Sequence, residues 1–197
     1  MQAVPANRAV VFVGIAALGF LADLATKHWI FGWLGNPLGQ RWRVWKHVVF
    51  FETSLNEGAL FGIGQGMWLL FAALSLVAAV AILLWLFYAG AARDFVLTVA
   101  LGLVTAGILG NLYDRLGLHG LKWGAAHGPH QPGDTVHAVR DWILVYIGPW
   151  PWPTFNLADS MLVAGAVLLV WHAWRHDQAA AEPRRGKDEG SRIGDDG

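Results

Sequence analysis

The residues best suited to chemistry recur in pairs at helical spacing. Asp23 and Lys27 are four residues apart, Asn111 and Asp114 three apart, and Asn156 and Asp159 three apart, so each pair falls on one helix face. Asn56 and Gly58 lie in Asn56-Glu-Gly-Ala-Leu-Phe-Gly62, whose glycines permit close backbone approach. Asp141 follows Arg140 in the short apolar run Val139-Arg-Asp-Trp-Ile143. The chain has no cysteine, which removes thiol nucleophiles, disulfide frameworks and iron–sulfur ligation. Neither a Gly-x-Ser-x-Gly elbow nor a His-Glu-x-x-His zinc motif occurs. A set of aspartates remains. Two carboxylates sharing one proton activate water on a peptide carbonyl, one acting as base while the other donates a proton. Like charges held close raise one of the two pKa values and keep the pair singly protonated.

The elements that must position these groups are apolar helices. The 197 residues are 55% hydrophobic and 14% charged, with zero formal net charge and twelve tryptophans. This composition excludes a disordered chain and gives no basic face for nucleic acid. It points to a membrane, where Trp favours the interface. Four stretches are long enough to span a bilayer, at about 20 residues each: residues 9–31, 67–88, 95–115 and 155–174. The first, with Asp23 and Lys27 near its end, is expected to be a retained anchor rather than a cleaved signal peptide. In an alternating topology the polar ends of spans one and three and the polar start of span four face one side of the membrane. Basic residues divide evenly between the two sides, so charge alone does not orient the chain.

Two long segments lie on the polar side. Residues 32–66 carry Arg41-Trp-Arg-Val-Trp-Lys-His-Val-Val-Phe-Phe-Glu52, whose β-branched and aromatic bias reads as one or two short strands. Residues 116–152 read as loop, short interfacial helix and strand, and Trp150-Pro-Trp-Pro153 suits an interfacial belt. Residues 1–174 form a single membrane domain. Residues 175–197, poor in apolar side chains, are expected to be a disordered tail.

Each polar group also has an ordinary structural reading. Asp23–Lys27 would be an ion pair at a helix end, Asn111 interhelical glue, Asn156 a helix cap, Asp159 a helix-start charge and Asp141 a surface carboxylate. Two other functions fit parts of the pattern: a small transporter subunit using Asp23, Asp114 and Asp159 as a proton relay, or an assembly protein using the polar groups as glue. The first calls for polar groups near mid-membrane, and the second leaves Asp141 without a purpose.

Five blocks in order resemble the lipoprotein signal peptidases, type II, of bacterial membranes: Asp23-Leu-Ala-Thr-Lys27, Asn56-Glu-Gly-Ala-Leu-Phe61, Gly110-Asn-Leu-Tyr-Asp-Arg115, Val139-Arg-Asp-Trp142 and Phe155-Asn-Leu-Ala-Asp-Ser160. The resemblance covers residues 9–174. It implies a mainly α, integral membrane fold of four transmembrane helices with a small extracytoplasmic β-cradle, and an aspartic-protease mechanism. It assigns the catalytic dyad to Asp141 and Asp159. Supporting roles then fall to Asn111 and Asn156 on the dyad or substrate backbone, and to Asp114 with Arg115 at the end of span three. Asn56 and Gly58 would line the groove, Asp23 and Lys27 would brace the first helix, and Ala158 belongs to the same site block. The implied substrate is a prolipoprotein signal peptide, cut just before a diacylglyceryl-modified cysteine, with membrane lipid around it. The resemblance also implies no metal or organic cofactor, globomycin-type cyclic peptides as inhibitors, a monomer, and an inner-membrane protein with both termini cytoplasmic and the site outside. The chain departs from the family pattern in the long stretch between Asp114 and Asp141, which stand 27 positions apart. That stretch makes Asp134 a rival for the first catalytic position, and its His119, His127, His130 and His137 read as a solvated loop rather than a metal site.

Overall fold

The computed structural model describes residues 4–35, 41–58, 64–125 and 128–192, with side-chain environments as far as residue 178. Residues 59–61 of the second sequence block and His127 lie outside the described residues. Four helices are long and apolar enough to cross a membrane: α1 (Ala6–Leu34), a span Trp68–Tyr88 whose α-helical part is α2 (Trp68–Leu83), α3 (Phe95–Arg115), and the first part, Leu157–Gln178, of α4 (Leu157–Arg192). The α1 helix is longer than the 9–31 expected, because no proline stands between Pro5 and Gly35. The α4 helix continues through Arg192, where the sequence reading expects a disordered tail from Arg175. Ala179, Ala180 and Ala181 propagate a helix that already exists, so no nucleation cost is incurred there.

The α3 helix is the centre of the bundle. Its buried face is built from Thr98, Ala100, Leu101, Gly102, Thr105, Ala106, Gly107, Gly110, Asn111 and Asp114. Small residues let helices approach closely where lipid gives no hydrophobic drive for association. At Gly107 a Cβ would stand 2.5 Å from the Ala158 carbonyl oxygen and 2.6 Å from Leu162 Cγ, so α3 and α4 touch there through backbone. The α1 helix faces this centre with Phe12, Ala16, Asp23, Lys27, Ile30 and Phe31, which recur at the helical period. The α2 helix buries only Ala72, so its other side chains meet the surroundings, as suits a lipid-facing span.

A four-stranded antiparallel sheet in the order β1-β2-β3-β4 lies beyond the helix ends: β1 (Arg41–Trp45), β2 (Val49–Asn56), β3 (Val139–Ile147) and β4 (Trp150–Pro151). Every residue of β1 is exposed, Trp42 and Trp45 among them. Between the pairs Phe51–Ile143 and Ser54–Asp141 the register shifts, so two β2 residues oppose the single residue Trp142. A bulge of this kind bends the strand and re-aims the neighbouring side chains. The described residues of the 116–138 segment form a packed loop without a helix, so the interfacial helix expected there is not found among them. Lys122 bridges Thr135, and Trp123, Val136 and Ala138 make a small core of their own beside Leu55 and Leu121.

Candidate active site

Three elements bring the polar pairs together. The first is the joint between β3 and the start of α4. Phe155 pairs with Ile143, donating its N–H to the Ile143 carbonyl at 3.0 Å and accepting the Ile143 N–H at 2.8 Å. This lays the first turn of α4 against Asp141. Asn156, immediately before α4, caps it: its Oδ1 accepts the Asp159 N–H at 2.9 Å, while Asp159 Oδ2 accepts the Asn156 N–H at 3.2 Å. Each side chain thus satisfies the other's backbone donor, the reciprocal logic of a capping box.

The second element is the amide bridge. Asn156 Nδ2 donates to Asp141 Oδ1 at 2.7 Å and to Asn111 Oδ1 at 3.1 Å, and Asn111 Nδ2 donates to Asp159 Oδ1 at 2.8 Å. Asn56 adds a side-chain hydrogen bond to Asp141. The two asparagines therefore hold both aspartates in one network. Asp141 is 2% exposed, whereas Asp159 is half-buried and reachable. Burial, reinforced by the nearby Asp159 charge, pushes the Asp141 carboxyl up to about 8, against the opposing pull of its Asn156 hydrogen bond and the Lys27 charge.

The third element is a buried ionic brace beneath the pair. Lys27 Nζ stands 2.7 Å from Asp23 Oδ2, 3.1 Å from Asp114 Oδ2 and 3.1 Å from Asn111 Oδ1. Asp23 Oδ1 accepts the Ala158 N–H at 2.9 Å, which fixes α1 to the first turn of α4. Asp114 and its neighbour Arg115 take different partners. Consecutive helical residues point about 100° apart. Asp114 takes Arg140 through Nε at 3.0 Å, a terminal nitrogen at 2.8 Å and the backbone N–H at 3.0 Å. Arg115 turns the other way and donates to the Gly58 carbonyl at 3.3 Å, and Gly58 N–H closes a turn on Asn56 Oδ1 at 3.0 Å. Asp23, Lys27 and Asp114 are fully buried, and Arg140 is 4% exposed. Buried charge on this scale demands pairing of this kind.

Eleven of the residues singled out in the sequence thus fall in or beside one network: Asp23, Lys27, Asn56, Gly58, Asn111, Asp114, Arg115, Asp141, Asn156, Ala158 and Asp159. Asp134 does not. It is exposed, and its Oδ2 accepts the Gln131 N–H at 2.7 Å within a turn. Arg140 is the residue the sequence reading missed. Its signal was a cation beside Asp141 in an apolar strand, where only a buried acid would hold it. The described histidines of this loop each have partners of their own. His119 Nδ1 accepts the Leu121 N–H, and burial lowers its pKa to about 4. His130 stacks on Trp123 and meets Glu57 at 3.1 Å, and His137 stacks on Trp68 with ring centroids 4.0 Å apart. The loop is therefore fastened over the Asn56–Gly58 segment and the start of α2.

Comparison with known proteins gives the same family. The family model described as signal peptidase (SPase) II matches residues 15–175. A lipoprotein signal peptidase of Rhodopirellula baltica is 48% identical over 171 residues, covering 85% of this chain and 73% of that protein. One of Methylorubrum extorquens is 36% identical over 167 residues, covering 82% and 84%. A solved structure described as a bacterial membrane enzyme, determined in meso at 2.3 Å, superposes with a TM-score of 0.69 at 26% identity, covering 86% of this chain and 90% of that one. The chain belongs to the signal peptidase II family, the membrane proteases that remove signal peptides from prolipoproteins.

Proposed function

We propose that Asp141 and Asp159 are the catalytic pair, and that they cut a prolipoprotein just before its diacylglyceryl-modified cysteine. The observation that carries this reading is the pair's arrangement: two carboxylates on separate elements, tied through Asn156 and Asn111, with one buried and the other half open. Asp159 acts as base. Both its oxygens accept N–H groups, from Asn111 and Asn156, and it sits in the first turn of α4, where the helix dipole favours negative charge. Asp141 holds the shared proton, because burial disfavours its ionised form.

Water between the two loses a proton to Asp159 as its oxygen attacks the scissile carbonyl, and Asp141 passes its proton to the carbonyl oxygen. Collapse of the tetrahedral diol breaks the C–N bond: the proton on Asp159 passes to the departing amine, and one hydroxyl proton returns to Asp141, which restores the singly protonated pair. The apolar helix surfaces hold the signal-peptide helix and the two acyl chains in lipid. That remote binding energy positions the scissile bond. The site faces the extracytoplasmic side, both termini are cytoplasmic, the working unit is a monomer, and globomycin-type cyclic peptides compete for the groove.

The test is cleavage by the full-length chain in detergent of a prolipoprotein carrying the diacylglyceryl group, beside the same substrate without lipid. Cleavage of the first alone, immediately before the cysteine and blocked by a globomycin-type peptide, is expected. Equal cleavage of both substrates, or cutting at another bond, would overturn the specificity.

A further inference from the structure

We propose that Asp94, His172 and His176 form a binding site for a divalent transition-metal ion of the zinc class, at the end of the bundle opposite the aspartate pair. His172 and His176 are four residues apart on α4, which puts both imidazoles on one helix face. They face the turn that leads into α3, where Asp94 is the N-cap. Asp94 Oδ1 accepts the Leu97 N–H at 3.0 Å, and this fixes the carboxylate and turns Oδ2 towards the two rings. Oδ2 lies 3.6 Å from His172 Nε2 and 3.9 Å from His176 Nε2. Both separations are too long for hydrogen bonds.

They are close to what a metal needs. Tetrahedral zinc, at about 2.0–2.1 Å from each nitrogen or oxygen, sets its ligand atoms about 3.4 Å apart. All three candidate ligand atoms already lie within 4.8 Å of one another. The two rings stand edge to face, with centroids 4.4 Å apart. The His172 side chain is 16% exposed and held by its surroundings, while that of His176 is 70% exposed and free to settle on the ion. A donor set of two imidazoles and one carboxylate suits Zn²⁺, Co²⁺ or Ni²⁺ rather than the oxygen-seeking Mg²⁺ or Ca²⁺. The hydrogen bond that Asp94 accepts from Leu97 orients the ligand, as outer partners do in metal sites. A bound ion would tie the far part of α4 to the start of α3, the two helices whose other ends carry Asp159 and Asn111.

The experiment uses the full-length chain in detergent at neutral pH, purified without a histidine tag and stripped of metal. It is titrated with Zn²⁺ by calorimetry and with Co²⁺ by visible absorption. One saturable site per chain is expected. Affinity should fall at least tenfold in His176→Gln and in His172→Gln, and remain unchanged in His130→Ala. Zn²⁺ should raise the melting temperature of the wild type and leave that of His176→Gln where it was. Because His176 is largely exposed, its replacement does not threaten the fold. Absence of saturable binding in the wild type, or binding that survives His176→Gln, would overturn the assignment.

Discussion

Lys27→Met tests the buried ionic brace. Four charged side chains meet there, two carboxylates (Asp23 and Asp114) and two cations (Lys27 and Arg140), and they balance. Met fills much of the same volume but leaves one carboxylate uncompensated where Asp23 and Asp114 are both fully buried. Breaking a buried pair by removing one partner costs about 3–5 kcal/mol. In a chain of this size each kcal/mol moves the melting temperature by about 2–4 °C, so a fall of about 6–20 °C is expected. Asp23→Asn in the same chain restores the balance and keeps an oxygen for the Ala158 N–H. The double variant should therefore recover most of the loss. The assay is thermal unfolding in detergent, followed by intrinsic tryptophan fluorescence. A Lys27→Met chain that melts within a degree or two of wild type would refute the reasoning. A double variant less stable than either single change would refute it equally.

Four further outcomes follow from the structure. Cleavage should fall as pH rises through about 8, because Asp141 then loses the proton it donates; a rate that keeps rising beyond that pH would contradict the assignment. The same raised pKa gives the folded state an advantage that is full below the ordinary carboxylate range and is lost as pH rises through about 8, so this group's contribution to stability declines across that window. Asn156→Ala removes contacts to Asp141, Asn111 and the Asp159 N–H together, and should lower kcat on the order of 100-fold with a smaller change in KM, measured on the lipidated substrate. Gly107→Ala drives a Cβ against the Ala158 backbone and should cost about 1–3 kcal/mol in thermal unfolding, whereas Gly14→Ala, where nothing stands within 4 Å, should be neutral or slightly stabilising.

What was legible in the sequence was local. Each span is an uninterrupted apolar run, and each polar pair follows the helical period, so both could be read from neighbouring residues. Strand in the run from Arg41 to Glu52 was legible for the same reason, in its aromatic and β-branched bias, though the run alone did not decide between one strand and the two that pair as β1 and β2. What escaped depends on register between distant segments. The pairing of Phe155 with Ile143, which delivers α4 to Asp141, leaves no mark on either segment alone. The same holds for the choice of Arg140 over Arg115 as the partner of Asp114, which is decided by which way a strand faces a helix end. The loop of residues 116–138 reads as polar and open, yet Trp123, Val136 and Ala138 give it a core, and His130 and His137 fasten it by stacking. Asp94 and the two α4 histidines meet only because α3 and α4 pack through small residues along their length.

The central claim is that Asp141 and Asp159 together carry the reaction. It is tested most directly by cleavage of the lipidated substrate with Asp141→Asn, Asp159→Asn and Asp134→Asn, each shown to fold by its melting curve. The account predicts that the first two are inactive while Asp134→Asn, altered only in an exposed turn, cuts like wild type. Loss of cleavage in Asp134→Asn with activity retained in Asp141→Asn would contradict it.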